Sequence, residues 1–180
     1  MDPVRTWHEE HAYFQRLLAR LRKQLHVYHG GGEPNHALML DIVAYLRGYS
    51  DQVHHPREDV AFALMAKRDP GLALVVARLQ QEHRVIAHAG EVLLKHLDAV
   101  LEDAVVSRAD VEMALATYLV YYGNHIAREE EDILGKAAAM LTAEDWEAVR
   151  NAVPERPDPV FGATPQDRFR ELRRQIALES

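Results

Sequence analysis

Apolar residues recur at steps of three and four along almost the whole chain, the spacing of one face of an α-helix, and no segment sustains the alternation of a half-buried strand. Thr6 with Glu9 predicts a capping box that opens a first helix, which runs to about His29 and ends at Gly30-Gly31-Gly32-Glu33-Pro34. Asn35 predicts the cap of a second helix reaching about Arg68. Asp69-Pro70 opens a third, to about Asp103, and Ser107 with Asp110 a fourth, to about Met140. Thr142 with Asp145 opens a short fifth helix. The connector VPERPDPVFGA follows, and Thr164-Pro165 opens a last amphipathic helix with Phe169, Leu172 and Ile176 on one face. Four long helices with short connections predict an all-α fold, an up-and-down antiparallel four-helix bundle over residues 1–140. Residues 141–180 form a helical extension packed on the bundle or on a partner subunit.

Histidine interrupts every one of the four long apolar stripes. The first stripe carries His11, Phe14, Leu18, Leu21 and Leu25; the second Met39, Val43, Leu46, Ser50, His54, Glu58 and Ala61. On the third stand Leu72, Val76, Leu79, His83, Ile86 and Gly90, and on the fourth Val111, Leu115, Tyr118, Tyr122, His125, Glu129 and Ile133. Counted from the connections, the four histidines fall in one slab of the bundle, with levels that agree to within about one helical turn.

The stretch VHHPRED, residues 53–59, is ambiguous, because His54 and Glu58 are four apart and so are His55 and Asp59. The line through His55 also collects Gly48, Asp51 and Gln52, a mostly polar set, so His54 and Glu58 are expected to face the core and His55 and Asp59 not to be direct ligands. Pro56 has no N–H to offer the carbonyl of Gln52, which predicts a kink or a π-bulge at this point, the alternative being that a one-residue bulge rotates His55 inward.

An isolated H-x-x-x-E on a helix is ordinarily a surface contact worth a few tenths of a kcal/mol. Four histidines and two glutamates on core stripes at one level are different, since isolated buried charges are costly and a bound cation resolves that cost. Nitrogen and oxygen donors without sulfur suit iron, and also manganese or zinc. The chain has no cysteine, which excludes disulfides, thiolate zinc sites and iron–sulfur ligation within it, and is compatible with a cytoplasmic setting. A net charge of −7 without a basic cluster argues against nucleic acid or an anionic membrane as partner. The beginning, MDPVRTWHEEH, has no apolar stretch of the signal-peptide kind, and no apolar run approaches a membrane span.

Over about residues 6–140 the order H…HxxxE…H…HxxxE, met by His11, His54/Glu58, His83 and His125/Glu129, resembles the hemerythrin-like, HHE cation-binding family. The resemblance implies a non-haem di-iron centre reactive towards dioxygen, nitric oxide or peroxide. It implies that His11 and His54 hold one iron, His83 and His125 the other, and that Glu58 and Glu129 bridge. Two departures stand out. Oxygen-carrying members have H-x-x-x-H on the third helix, where this chain has Ala87 four after His83; their closing H-x-x-x-x-D is replaced by His125-Ile126-Ala127-Arg128-Glu129-Glu130. Fewer histidines imply more open coordination positions, which favours sensing, peroxide chemistry or iron handling over reversible oxygen carriage.

The resemblance names no catalytic residue beyond the metal site and leaves turnover undecided; an enzyme would be a peroxide- or oxygen-reactive di-iron oxidoreductase. The alternatives are a structural or interaction bundle with a closed zinc or iron site, or iron storage and delivery. A homodimer is a further expectation. His8, His55, His88 and Glu130 are read as outer or substitute ligands, and Glu130 otherwise as part of a solvated acidic face. Tyr118 and Tyr122 are read as core tyrosines with satisfied hydroxyls, the alternative being contact with a metal-bound species. His26, His29, His36 and His96 are read as surface residues.

Overall fold

The computed structural model describes residues 3–154 and 156–178, so position 155 of the Pro-rich connector lies outside the described residues. Among them there are helices and no strands. Helix α1 spans Pro3–His29, and α2, His36–Tyr45, continues through a π-helix, Leu46–His54, into α3, His55–Arg68. Then come α4, Ala73–Leu101; α5, Arg108–Asp132; α6, Leu134–Met140; α7, Ala143–Ala152; and α8, Arg170–Leu178. No described helix is long and apolar enough to cross a membrane.

Several ends follow the sequence signals. The Asn35 side chain accepts from the N–H of Leu38, and Thr142 and Asp145 close a full capping box on α7. Asp69 accepts from Gly71 N–H, but it caps a short 3₁₀ turn, Pro70–Leu72, before α4 begins. Other ends differ. Helix α1 starts at Pro3, where proline is tolerated because a first-turn N–H has no intrahelical partner, so Thr6 lies inside the helix. The fourth long helix breaks at Ile133 (φ −131°, ψ −35°). That break lets the adjacent Ile133 and Leu134 both be buried, which a continuous helix would oppose.

Two apolar clusters fill the interior. One contains Phe14, Leu21, Val43, Leu46, Val53, Ile86, Leu93, Leu115 and Ile126; the other contains Val4, Trp7, Ala61, Phe62, Leu79, Ile133 and Leu134. Along α1 the second cluster precedes the first. The α2–α3 rod meets them in the reverse order, α4 in the order of α1, and α5 reversed again. Successive rods therefore cross from one cluster to the other in alternating directions. Between the clusters every rod carries polar residues, so the site is a polar slab held between two apolar blocks. The extension docks on this body: Phe169 and Leu172 are buried in the first cluster, Tyr13 stacks on Phe161 at 4.2 Å, and Tyr45 donates to Asp158 at 2.7 Å.

Candidate metal centre

The π-helix decides which histidines enter the slab. His55 N–H bonds the carbonyl of Ser50, five residues back, in place of the four-residue step of an α-helix. Pro56 follows immediately and supplies no N–H at all. The wider turn brings two consecutive side chains inward. His54 is buried against α1, its ring 4.9 Å from that of His11, while His55 is buried against α4 and α5, stacked on His83 at 4.3 Å and edge-on to His125 at 5.4 Å. The expectation that His55 faces away is thus corrected: at 100° per residue only one of two neighbours can face the core, and the π-turn removes that restriction.

Glu58 and Glu129 are fully buried at the centre. Glu58 Oε1 lies 3.2 Å from His54 Nε2 and 3.5 Å from His11 Nε2, and its Oε2 lies 3.6 Å from His83 Nε2. Glu129 Oε2 is 3.1 Å from His125 Nε2 and 3.4 Å from His11 Nε2, with Oε1 3.4 Å from His83 Nε2. Each carboxylate thus reaches both sides of the slab.

Behind the rings stands a second layer of acids. His11 Nδ1 pairs with Glu130 at 2.7 Å, His54 Nδ1 with Glu10 at 2.6 Å, His83 Nδ1 with Asp59 at 2.8 Å and His125 Nδ1 with Glu82 at 3.2 Å. An Nδ1–H donated outward leaves each Nε2 lone pair aimed at the centre, the tautomer a metal ligand needs. Two such lone pairs, those of His11 and His54, face one another at 2.9 Å, which is repulsive unless a proton or a cation serves both. His55 differs, with Nε2 3.1 Å from Ser50 Oγ and Nδ1 3.5 Å from Asp51 Oδ1.

The electrostatics follow this layout. Burial opposes a charge on His11, but its hydrogen bond to Glu130 and the nearby Glu58 carboxylate prevail and raise its pKa to about 10. Burial is likewise overcome at His83, raised to about 10 by Asp59 and Glu129, and at His54, raised to about 9 by Glu58 and Glu10. Burial and the Glu129 charge would lift Glu58, yet His54 and His11 hold it at about 2. His55, buried beside His83 and His125, is held well below the usual imidazole range and stays neutral.

The donor set fits cations. Both oxygens of Glu58, Glu129 Oε2 and His125 Nε2 are buried without a hydrogen-bond partner among the described residues, an arrangement that costs free energy unless a positive centre meets them. Two groups converge closely enough to hold an ion: His11, His54 and Glu58, and His55, Glu58, His83 and His125. Glu58 belongs to both. All six residues expected at the site are brought together, with His55 in addition.

The remaining candidates divide. His8 is exposed and pairs with Glu130 at 2.6 Å, so Glu130 links His8 and His11 and is no mere member of a solvated face. His88 is exposed. Tyr122 shares a hydrogen bond with Ser50, whereas the buried Tyr118 hydroxyl has no hydrogen-bond partner among the described residues, contrary to the expectation of a satisfied core tyrosine. His36 is partly buried and meets the Tyr28 hydroxyl at 2.8 Å. Glu10 and Glu82 were not legible as site residues. The signal that would find them is an acid on a neighbouring helix level with each inward histidine, but 28 acids make that match unselective.

The family model described as the Hemerythrin HHE cation binding domain matches residues 2–137. No individual curated protein matches the chain. With three-quarters of its length matched, the chain belongs to the hemerythrin HHE family, and the buried histidine–glutamate slab is what a metal-binding helical protein of that family requires.

Proposed function

We propose, from membership of the hemerythrin HHE family, that the slab holds two metal ions, iron in the first instance, and uses them to bind, sense or process dioxygen, nitric oxide or peroxide. The observation that carries this reading is Glu58, whose two oxygens face different histidine groups. His11 and His54 would hold one ion, and His83, His125 and His55 the other, with Glu58 and Glu129 bridging. A bound iron pair supplies electrons and an open coordination position to a small ligand.

The protein's own residues set the conditions. The outer acids fix each imidazole in the ligating tautomer. Phe14, 5.0 Å from the His54 ring, and Trp7, 6.3 Å from it, keep the two-histidine side apolar, so a diatomic ligand is admitted in preference to a large polar one. By donor counting, the open position would lie on that side, which has one histidine fewer.

The test is anaerobic purification, quantification of metal per chain, and visible spectra on adding dioxygen, nitric oxide or peroxide. Two irons with a reversible oxygen spectrum support binding or sensing, and sustained peroxide loss supports an oxidoreductase. Zinc with no spectral response favours a closed structural site. A protein without metal, whose stability chelators leave unchanged, sinks the proposal.

A further inference from the structure

Beside the slab, but outside it, a cavity of about 320 Å³ opens between the start of α1, the π-helix and α7. Its size is that of a small-molecule pocket. The capping box of Thr142 and Asp145 fixes the start of α7, and one turn on Trp146 meets Trp7 of α1 edge to face at 5.3 Å. These are the two tryptophans of the whole chain, and both line the cavity.

The charge here runs against that of the protein. Arg57, Arg150 and Arg156 line the cavity in a chain of net charge −7. Arg57 is buried, and its Nε donates to the carbonyl of Val153 at 3.2 Å, which holds the guanidinium in the wall. Glu10 is the one carboxylate among the described lining residues, and it is engaged: Oε1 accepts from Tyr49 at 2.7 Å and Oε2 from His54 at 2.6 Å. Guanidinium groups recognise carboxylates through paired N–H donors, and indole walls favour a flat apolar body.

We propose that this cavity binds a small organic anion with a flat apolar body, of the benzoate type. The site stands on residues separate from the proposed metal ligands, so it holds whether or not the metal reading does. An occupant would lie one hydrogen-bonded residue, Glu10, away from His54.

Because both tryptophans line the cavity, intrinsic tryptophan fluorescence reports on it directly. Titration of the full chain, at fixed metal content, with benzoate should give a saturable change. Benzamide, the same shape without charge, and inorganic phosphate, the charge without a ring, should each bind at least tenfold more weakly. The double variant R150A/R156A, at two exposed positions where folding is not at stake, should weaken benzoate at least tenfold. No saturable response to benzoate, benzamide or phosphate binding as tightly, or unchanged affinity in the double variant would each overturn the proposal.

Discussion

The two sides of the slab share two central carboxylates, Glu58 and Glu129, but are supported differently. On the α1 side, His11 and His54 rest on Glu130 and Glu10 at 2.7 and 2.6 Å, and the acids' other bonds go to His8 and Tyr49. On the α4–α5 side there are three histidines; His83 rests on Asp59 at 2.8 Å, but the acids beside the other two are shared with permanent cations, Glu82 with Arg128 and Asp51 with Arg47 at 2.9 Å. A guanidinium that draws on the same carboxylate reduces what it gives to the imidazole. One side thus has fewer donors, all firmly supported; the other has more donors, of which His125 and His55 are supported more softly. A site can reach similar affinity by either route, and the two fail in different ways.

The comparison breaks most completely at the residue both sides share. Glu58→Ala should strip metal from both groups, which metal analysis of the purified variant would read as near-zero occupancy. His55→Ala should act on one side only, leaving the His11–His54 group able to hold metal and taking occupancy towards one ion per chain. Two ions retained would place His55 outside the ligand set.

Acidity offers a third test, on protein prepared without metal. Unfolded imidazoles lose their protons near pH 6.5, whereas in the fold His11 and His83 keep theirs to about 10 and His54 to about 9. Their contribution to stability is whole below pH 6.5 and gone above 10, so thermal stability of the metal-free protein should fall across that range. Glu58, held at about 2, contributes above pH 4.5 and loses its contribution as pH falls towards 2. Bound metal takes over the protons' place, so the alkaline decline should flatten in metal-loaded protein. Parallel decline with and without metal would count against ligation by these imidazoles.

The outer acids sharpen the contrast further. Glu10→Gln should lower metal affinity by roughly 10- to 100-fold, the usual effect of removing such a support, and Glu82→Gln by less, because Arg128 already shares that carboxylate. Competition with a chelator of known affinity would rank them, and the reverse order would overturn the argument. The smallest effect is expected at Gly90, where an added Cβ would lie 2.8 Å from Arg47 Cδ and 3.0 Å from the Tyr118 ring. Gly90→Ala gains helix propensity and loses packing, a net cost of about 1 kcal/mol by urea denaturation.

Much of this was legible in the sequence because helical periodicity is a strong signal. His11, His54, His83 and His125 could be aligned by level, since four rods crossing one slab must place them there. His55 was legible only as the alternative to His54 that a bulge at Pro56 would turn inward, because its position depends on a wider turn that periodicity does not announce. The outer acids were illegible for another reason. Glu10 precedes His11 but serves His54 on a different helix, so its partner is set by packing and not by its own stripe. The break at Ile133 is marked only by Gly135 two residues on, a weak signal inside a helical pattern, and goes with burial of two adjacent side chains.

The π-helix leaves one mechanical consequence. His54 and His55 are joined by a single peptide bond yet serve opposite sides of the slab, so any slide or rotation of that rod displaces both groups together. A disturbance at one metal position would thus be felt at the other through the backbone, in addition to the shared carboxylates. Adjacent residues in one wide turn act here as the two arms of a balance.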